Sequence, residues 1–162
     1  MMISEWNNLP EEKQEIIRRY QNEPRVSVGK IARALGLKVK SATLKPGISG
    51  EIFPSKEKDY KFIIRVNRHE VRERQRFTVA HEIAHYLLHQ DHIGAGVSDN
   101  NLYRSSLSNR REHEANRLAA EILMPWHLIE RELDDGETTP EDLAERLGVS
   151  EIAIKIRLNI PT

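Results

Sequence analysis

With 162 residues, 25 lysines and arginines against 25 aspartates and glutamates, the chain has no net charge to draw it to nucleic acid or an anionic membrane. Its length suits one domain with a small appendage and a real core. The lack of cysteine excludes disulfides and thiolate metal sites, so any metal must be held by histidine and carboxylate. The start, MMISEWNNLPEEKQ, is not that of a signal peptide, and no apolar stretch approaches the roughly 20 residues of a membrane span, so a cytoplasmic protein is expected.

In chain order, Pro10 in a first helical turn, Glu11 and Glu12 behind it and Arg18 and Arg19 near the end oppose the helix dipole and predict a helix over residues 10–21. Ser27 caps a second helix over 28–35, with Ile31, Ala32 and Leu35 on one face and Gly36 as its stop. The phrase KIARALGL also fits half of a helix-turn-helix, but its few basic residues favour a packing helix. From 38 to 67 the apolar period falls to two, through Val39, Ala42 and Leu44, then Ile52 and Phe53, then Tyr60, Phe62, Ile64 and Val66. Pro46-Gly47, Ser49-Gly50 and a polar loop over 55–59 punctuate these runs, and three strands in an antiparallel meander are expected.

Residues 67–70 open a long helix that runs to about residue 90, its first turns EVRERQR reading as a solvated face with i,i+4 charge pairs. Residues 91–108, rich in glycine, asparagine and serine, form a loop long enough to suggest function. Helical spacing returns over 109–124 with Ala115, Leu118, Ala119 and Ile122 on one face, and Pro125 ends that helix and starts a short one reaching Leu133. Thr139-Pro140 begins the next, through Leu143, Ala144 and Leu147, before Gly148-Val149-Ser150 turns the chain. In 151–160, Ile152, Ile154, Ile156 and Leu158 alternate like a strand while Ser150 looks like a helix cap; the helix is the expectation.

The run RFTVAHEIAHYLLH lies in the middle of the long helix. There His81 and His85 sit one turn apart on one face and can hold one metal ion, with Glu82 beside them as a candidate base. Apolar residues at Phe77, Ala80, Ala84 and Leu87, and again at Val79, Ile83 and Tyr86, leave that helix little surface for water. Two imidazoles and a carboxylate on such a buried helix need a reason, and a catalytic zinc with three protein ligands and one position for water supplies it. His89 continues the series, but a straight helix raises it about 6 Å beyond His85, out of reach of the same ion. A carboxylate from a later helix is the better third ligand, and Glu112 has Asn116 one turn on to orient a ligand. Glu114 points roughly 200° around the helix from Glu112, so the two cannot share the ion, and Glu112 is preferred. An oxyanion needs a donor besides the metal; His113, Tyr103 and His92 are candidates, with nothing to choose among them.

Taken together, RFTVAHEIAHYLLH and the later EHEANRLAAEILMP resemble the ImmA/IrrE family of zinc metallopeptidases. The likeness extends upstream to VGKIARALGLKV, SGEIF and YKFIIRV and downstream to LAERLGVSEIAIKIRL, and so covers nearly all the chain after Arg25. It implies a gluzincin-type site similar to that of thermolysin, with Zn2+ on His81, His85 and Glu112 and with Glu82 as the catalytic glutamate. Leu118 stands where the family often has phenylalanine, a packing difference only. With the elements above, it implies an α+β fold: a small three-stranded antiparallel sheet packed on a zincin-like helical core, with a C-terminal helix pair. Residues 1–25 would be an N-terminal helix, 26–133 the metallopeptidase core and 134–162 the helix pair, all in one domain, with no room for the added helix-turn-helix or sensor domain of longer relatives.

The activity so implied is zinc-dependent hydrolysis of a peptide bond in a protein partner, a helix-turn-helix repressor or an antitoxin. The competing reading is a toxin or antirepressor that sequesters its partner uncut. Direct DNA binding is disfavoured, since 151–160 carries only Lys155 and Arg157 as bases. A substrate is expected to align as an added strand beside residues 60–66, because backbone pairing positions an extended peptide with little side-chain demand.

Overall fold

Phe62-Ile63-Ile64-Arg65-Val66 is the most continuously apolar of the β segments, and it takes the middle of the sheet. The computed structural model describes residues 3–94, 97–98, 106–136 and 138–162, with the backbone alone at 97–98 and 106–108. Its strands are β1 (Leu37–Ala42), β2 (Gly50–Pro54), β3 (Phe62–Asn67) and β4 (Val97–Ser98), in the spatial order β1-β3-β2-β4. Its helices are α1 (Ser4–Asn7), α2 (Glu11–Arg18), α3 (Val28–Ala34), α4 (Arg72–His89), α5 (Ser106–Leu123), α6 (Trp126–Asp134), α7 (Pro140–Leu147) and α8 (Glu151–Arg157).

The class is α+β as expected, but the sheet is not an antiparallel meander. β3 pairs antiparallel with β2, placing Ile52 beside Ile64, and parallel with β1, placing Val39 beside Ile64. The short β4 adds a fourth strand beyond β2. Burial explains the order. Ile63, Ile64 and Val66 are all buried, so β3 is covered on both faces, whereas β1 exposes Lys40 and Ser41 in the manner of an edge. With β1 and β2 on its two sides, β3 has no open edge, and a substrate cannot add beside residues 60–66.

Nor does residue 67 start the long helix. Asn67 donates its Nδ2 to the Ile48 carbonyl at 3.0 Å and accepts the His69 N–H on Oδ1 at 3.0 Å, a side-chain-stabilised turn that delays α4 to Arg72. From there α4 runs beside α5. Ala80, Ile83 and Ala84 of α4 and Ala115, Leu118, Ala119 and Ile122 of α5 are fully buried, each large side chain contributing about 1.5–3 kcal/mol of transfer free energy. The alanines keep the interface thin, which lets polar side chains of both helices meet.

The short α1 has no periodic signal, yet it buries Trp6, over whose ring the Arg18 guanidinium lies at 5.3 Å. At the other end, Thr139 and Ser150 cap α7 and α8, accepting the Asp142 and Ala153 N–H groups at 3.1 Å. The alternation over 151–160 therefore resolves as a helix, with Ile154 buried and Ile152 and Ile156 exposed. Arg76 of α4 donates its Nε to the Gly148 carbonyl at 3.0 Å, at the C-terminal end of α7 where a cation meets the negative end of the helix dipole. Gly148 has φ +69°, and a Cβ there would come within 2.9 Å of Arg76 Nε. Arg157 of α8 closes the arrangement, bonding Glu121 Oε2 at 2.7 Å and the Met124 carbonyl at 3.0 Å on the α5 side.

Candidate metal centre

Helix α4 carries His81, Glu82 and His85 in its buried middle, and α5 sets Glu112 and Asn116 opposite. The two oxygens of Glu112 are shared between the rings: Oε2 lies 2.9 Å from His81 Nε2 and Oε1 lies 2.9 Å from His85 Nε2. The rings stand edge to face, their centroids 4.6 Å apart and their planes at 88°. Ligand atoms of His81, His85 and Glu112 all fall within 4.8 Å of one another, a group that could hold a metal ion.

Proton positions follow from the neighbours. Asn116 Oδ1 lies 2.7 Å from His81 Nδ1; an amide oxygen only accepts, so Nδ1 carries a proton, and in the neutral ring the lone pair falls to Nε2, facing the centre. His85 is set through a longer chain. Glu114 Oε1, 3.3 Å from His89 Nε2, accepts that ring's proton, and the lone pair left on His89 Nδ1 faces His85 Nδ1 at 3.0 Å. His85 Nδ1 donates to it, and its Nε2 lone pair also faces Glu112. Burial, then the neighbouring His85, holds His89 below the ordinary imidazole value against the pull of Glu114, which suits a neutral relay.

With both ligand rings neutral, two lone pairs and two carboxylate oxygens converge, four Lewis bases that a single divalent cation satisfies. When the rings are protonated they donate to Glu112 instead. Burial opposes ionisation of that carboxyl, but the hydrogen bonds and charges of His81 and His85 outweigh it and hold it well below the usual carboxylate range. The donor set of two imidazoles, both braced from behind, and one carboxylate fits a metal ion.

The remaining sequence candidates fall elsewhere. His92, in the turn of 3-10 helix over Gln90–His92, and His113, one residue past Glu112, are both exposed. Tyr103 lies outside the described residues. Glu114 reaches His89, one step behind His85, and contacts neither ligand ring directly. Sequence reasoning missed the role of Gly50 at the start of β2. A Cβ there would meet Thr78 Cγ2 at 2.4 Å and lie 3.7 Å from Glu82 Cγ, so only glycine lets the strand cross α4 this closely. A glycine opening a β run was its one signal.

A cleft of about 960 Å³ opens over His81, Glu112 and Asn116. One wall is the first half of α4, the other α7 and α8. The centre is thus reached from an open groove, while Glu82 stays fully buried beside it.

Comparison with known proteins gives the same outline. A family model, Peptidase_M78, described as the IrrE N-terminal-like domain, matches residues 32–159. Among solved structures, a Mycobacterium tuberculosis transcriptional regulator superposes with a TM-score of 0.60 at 17% identity, over 96% of this chain and 48% of that one. The likeness is one of fold, and this chain spans about half the length of that regulator. No match is found among curated proteins.

Proposed function

The chain belongs to the Peptidase_M78 family, and on that premise we propose that it is a zinc-dependent endopeptidase that hydrolyses a peptide bond in a protein partner. The observation that carries the reading is the placing of Glu112 between two histidines whose outer nitrogens are fixed by Asn116 and His89, with a buried glutamate next in sequence to one of them. His81, His85 and Glu112 would hold the ion. Bound there, Zn2+ would polarise the scissile carbonyl and acidify a water.

The protein's own groups do the rest. Glu82 accepts the proton of the attacking water and passes it to the leaving amine; as the peptide C–N bond breaks, the new carboxyl keeps the water's oxygen. Its burial keeps competing water away from that proton transfer. Asn116 and the His89-Glu114 pair hold the ligand rings in one tautomer through the cycle, so no reorganisation accompanies the reaction.

The partner we propose is a helix-turn-helix regulator or an antitoxin. The similar solved chain bears the name of a transcriptional regulator, which supports a regulatory setting for this fold. The test incubates zinc-loaded protein with candidate helix-turn-helix regulators and antitoxins and compares wild type with Glu82→Gln. Fragments from wild type alone are the expected result. Equal inactivation of the partner by both proteins without fragments would establish sequestration in place of cleavage.

A further inference from the structure

The cleft over the metal centre has a composition unlike the rest of the surface. Val71, Ile152 and Ile156 are 67%, 62% and 67% exposed and all line it, together with the half-buried Phe77. Ile152 and Ile156 lie one turn apart on α8, so they present one continuous ridge. Such side chains, gathered in one groove that leads to a metal centre, mark where a partner's apolar groups are buried.

Charge in the same groove is one-sided. Besides Glu112 at its floor, four carboxylates line it, Glu73, Glu141, Glu145 and Glu151, against the single guanidinium of Arg74. Arg74 is engaged by Glu70 at 3.5 Å, and Glu151 by Lys155 at 3.0 Å. Glu73, Glu141 and Glu145 make no ion pair among the described residues. Since the whole chain is neutral, this excess is a local arrangement and not a reflection of composition. Glu141 and Glu145 stand one turn apart on α7, beside the apolar ridge of α8.

We propose that the cleft recognises a peptide segment in which apolar side chains are flanked by lysine or arginine. The apolar groups seat against Phe77, Val71 and the Ile152-Ile156 ridge, and the bases face the carboxylates of α7 and Glu73. The proposal rests on the peptidase reading for its account of what lies beyond the cleft, and it narrows the substrate to a basic, apolar stretch. Segments of that kind are what a DNA-binding protein turns to phosphate, so the class agrees with a regulator as partner.

Binding is measured apart from cleavage, with zinc-loaded Glu82→Gln protein and two fluorescently labelled peptides by anisotropy. Both peptides carry the same Leu-Ile-Leu centre, one flanked by lysines and the other by glutamates. The lysine peptide is expected to bind about tenfold more tightly at low salt, with the gap closing as salt is raised. The double variant Glu141→Lys/Glu145→Lys is expected to reverse the order, and Ile152→Ser/Ile156→Ser to weaken both peptides. Equal affinity for the two peptides, or binding of neither, overturns the proposal. Wild-type protein that binds the lysine peptide but cuts no protein or peptide leaves this recognition standing and removes the peptidase reading.

Discussion

His85 and His89 face one another Nδ1 to Nδ1 at 3.0 Å, a contact that holds only when one ring carries the proton and the other accepts it. The carboxylate of Glu114 decides which, and so fixes the ligand tautomer of His85 from two residues away. His89→Phe keeps a ring of similar size and removes the acceptor. Metal affinity, measured by competition with a chromophoric chelator, is expected to fall about 10–100-fold while the circular dichroism stays that of wild type. His89→Gln, whose side-chain oxygen can accept, should recover part of the loss. Unchanged affinity in His89→Phe would show that His85 needs no brace.

Glu112 and Glu114 lie two residues apart and do different work. Glu112→Ala removes the one carboxylate that, among the described residues, reaches both ligand rings, and metal content at equimolar zinc is expected to drop to about a tenth of the wild-type value or less. Glu114→Ala leaves all three ligands in place and should cost affinity only through His89. Elemental analysis after dialysis separates the two, and retention of metal in Glu112→Ala with loss in Glu114→Ala would assign the third ligand to Glu114.

Gly50 sets the distance between the sheet and α4. In Gly50→Ala the new methyl meets Thr78 Cγ2 at 2.4 Å, and α4 must move where it carries His81 and Glu82. A loss of about 1–3 kcal/mol in urea unfolding is expected, with catalysis falling further than stability explains. Thr78→Ser deletes the obstructing methyl, so the double variant should regain most of both. Additive losses in the double variant would place the strain elsewhere.

What could be read from sequence divides by range. The i,i+4 spacings His81 to His85 and Glu112 to Asn116 are local facts of helix geometry, and the group they form is legible before any fold is known. The capping residues Thr139 and Ser150 are legible for the same reason. Strand partners are not. β1 pairs in parallel with β3, Leu37 beside Phe62, because the most buried strand requires two neighbours, and nothing within β1 itself announces that. The His85-His89-Glu114 chain is a middle case: the i,i+4 spacing of the histidines is plain, but the choice between ligand and brace needs the facing helix. Trp6 is invisible to periodicity because a four-residue helix has none.

The N-terminal helix offers a pH-dependent handle remote from the centre. Burial opposes the charge on Glu5, but hydrogen bonds from Arg117 of α5, its own backbone and Ser4, with the Arg117 charge, outweigh it and lower its pKa. A carboxyl lowered on folding adds stability that is fully present above its unfolded value, near 4.5, and is lost as pH falls through the folded value. Because Arg117 is half-exposed, its share is partly screened, and Glu5→Gln is expected to cost about 1–2 kcal/mol at pH 7. Urea midpoints of the two proteins should converge as pH is lowered below 4.5, where wild type loses what the variant never had. A constant gap between them down to the acid transition would mean that Glu5 acts by packing around Trp6 and not through its charge.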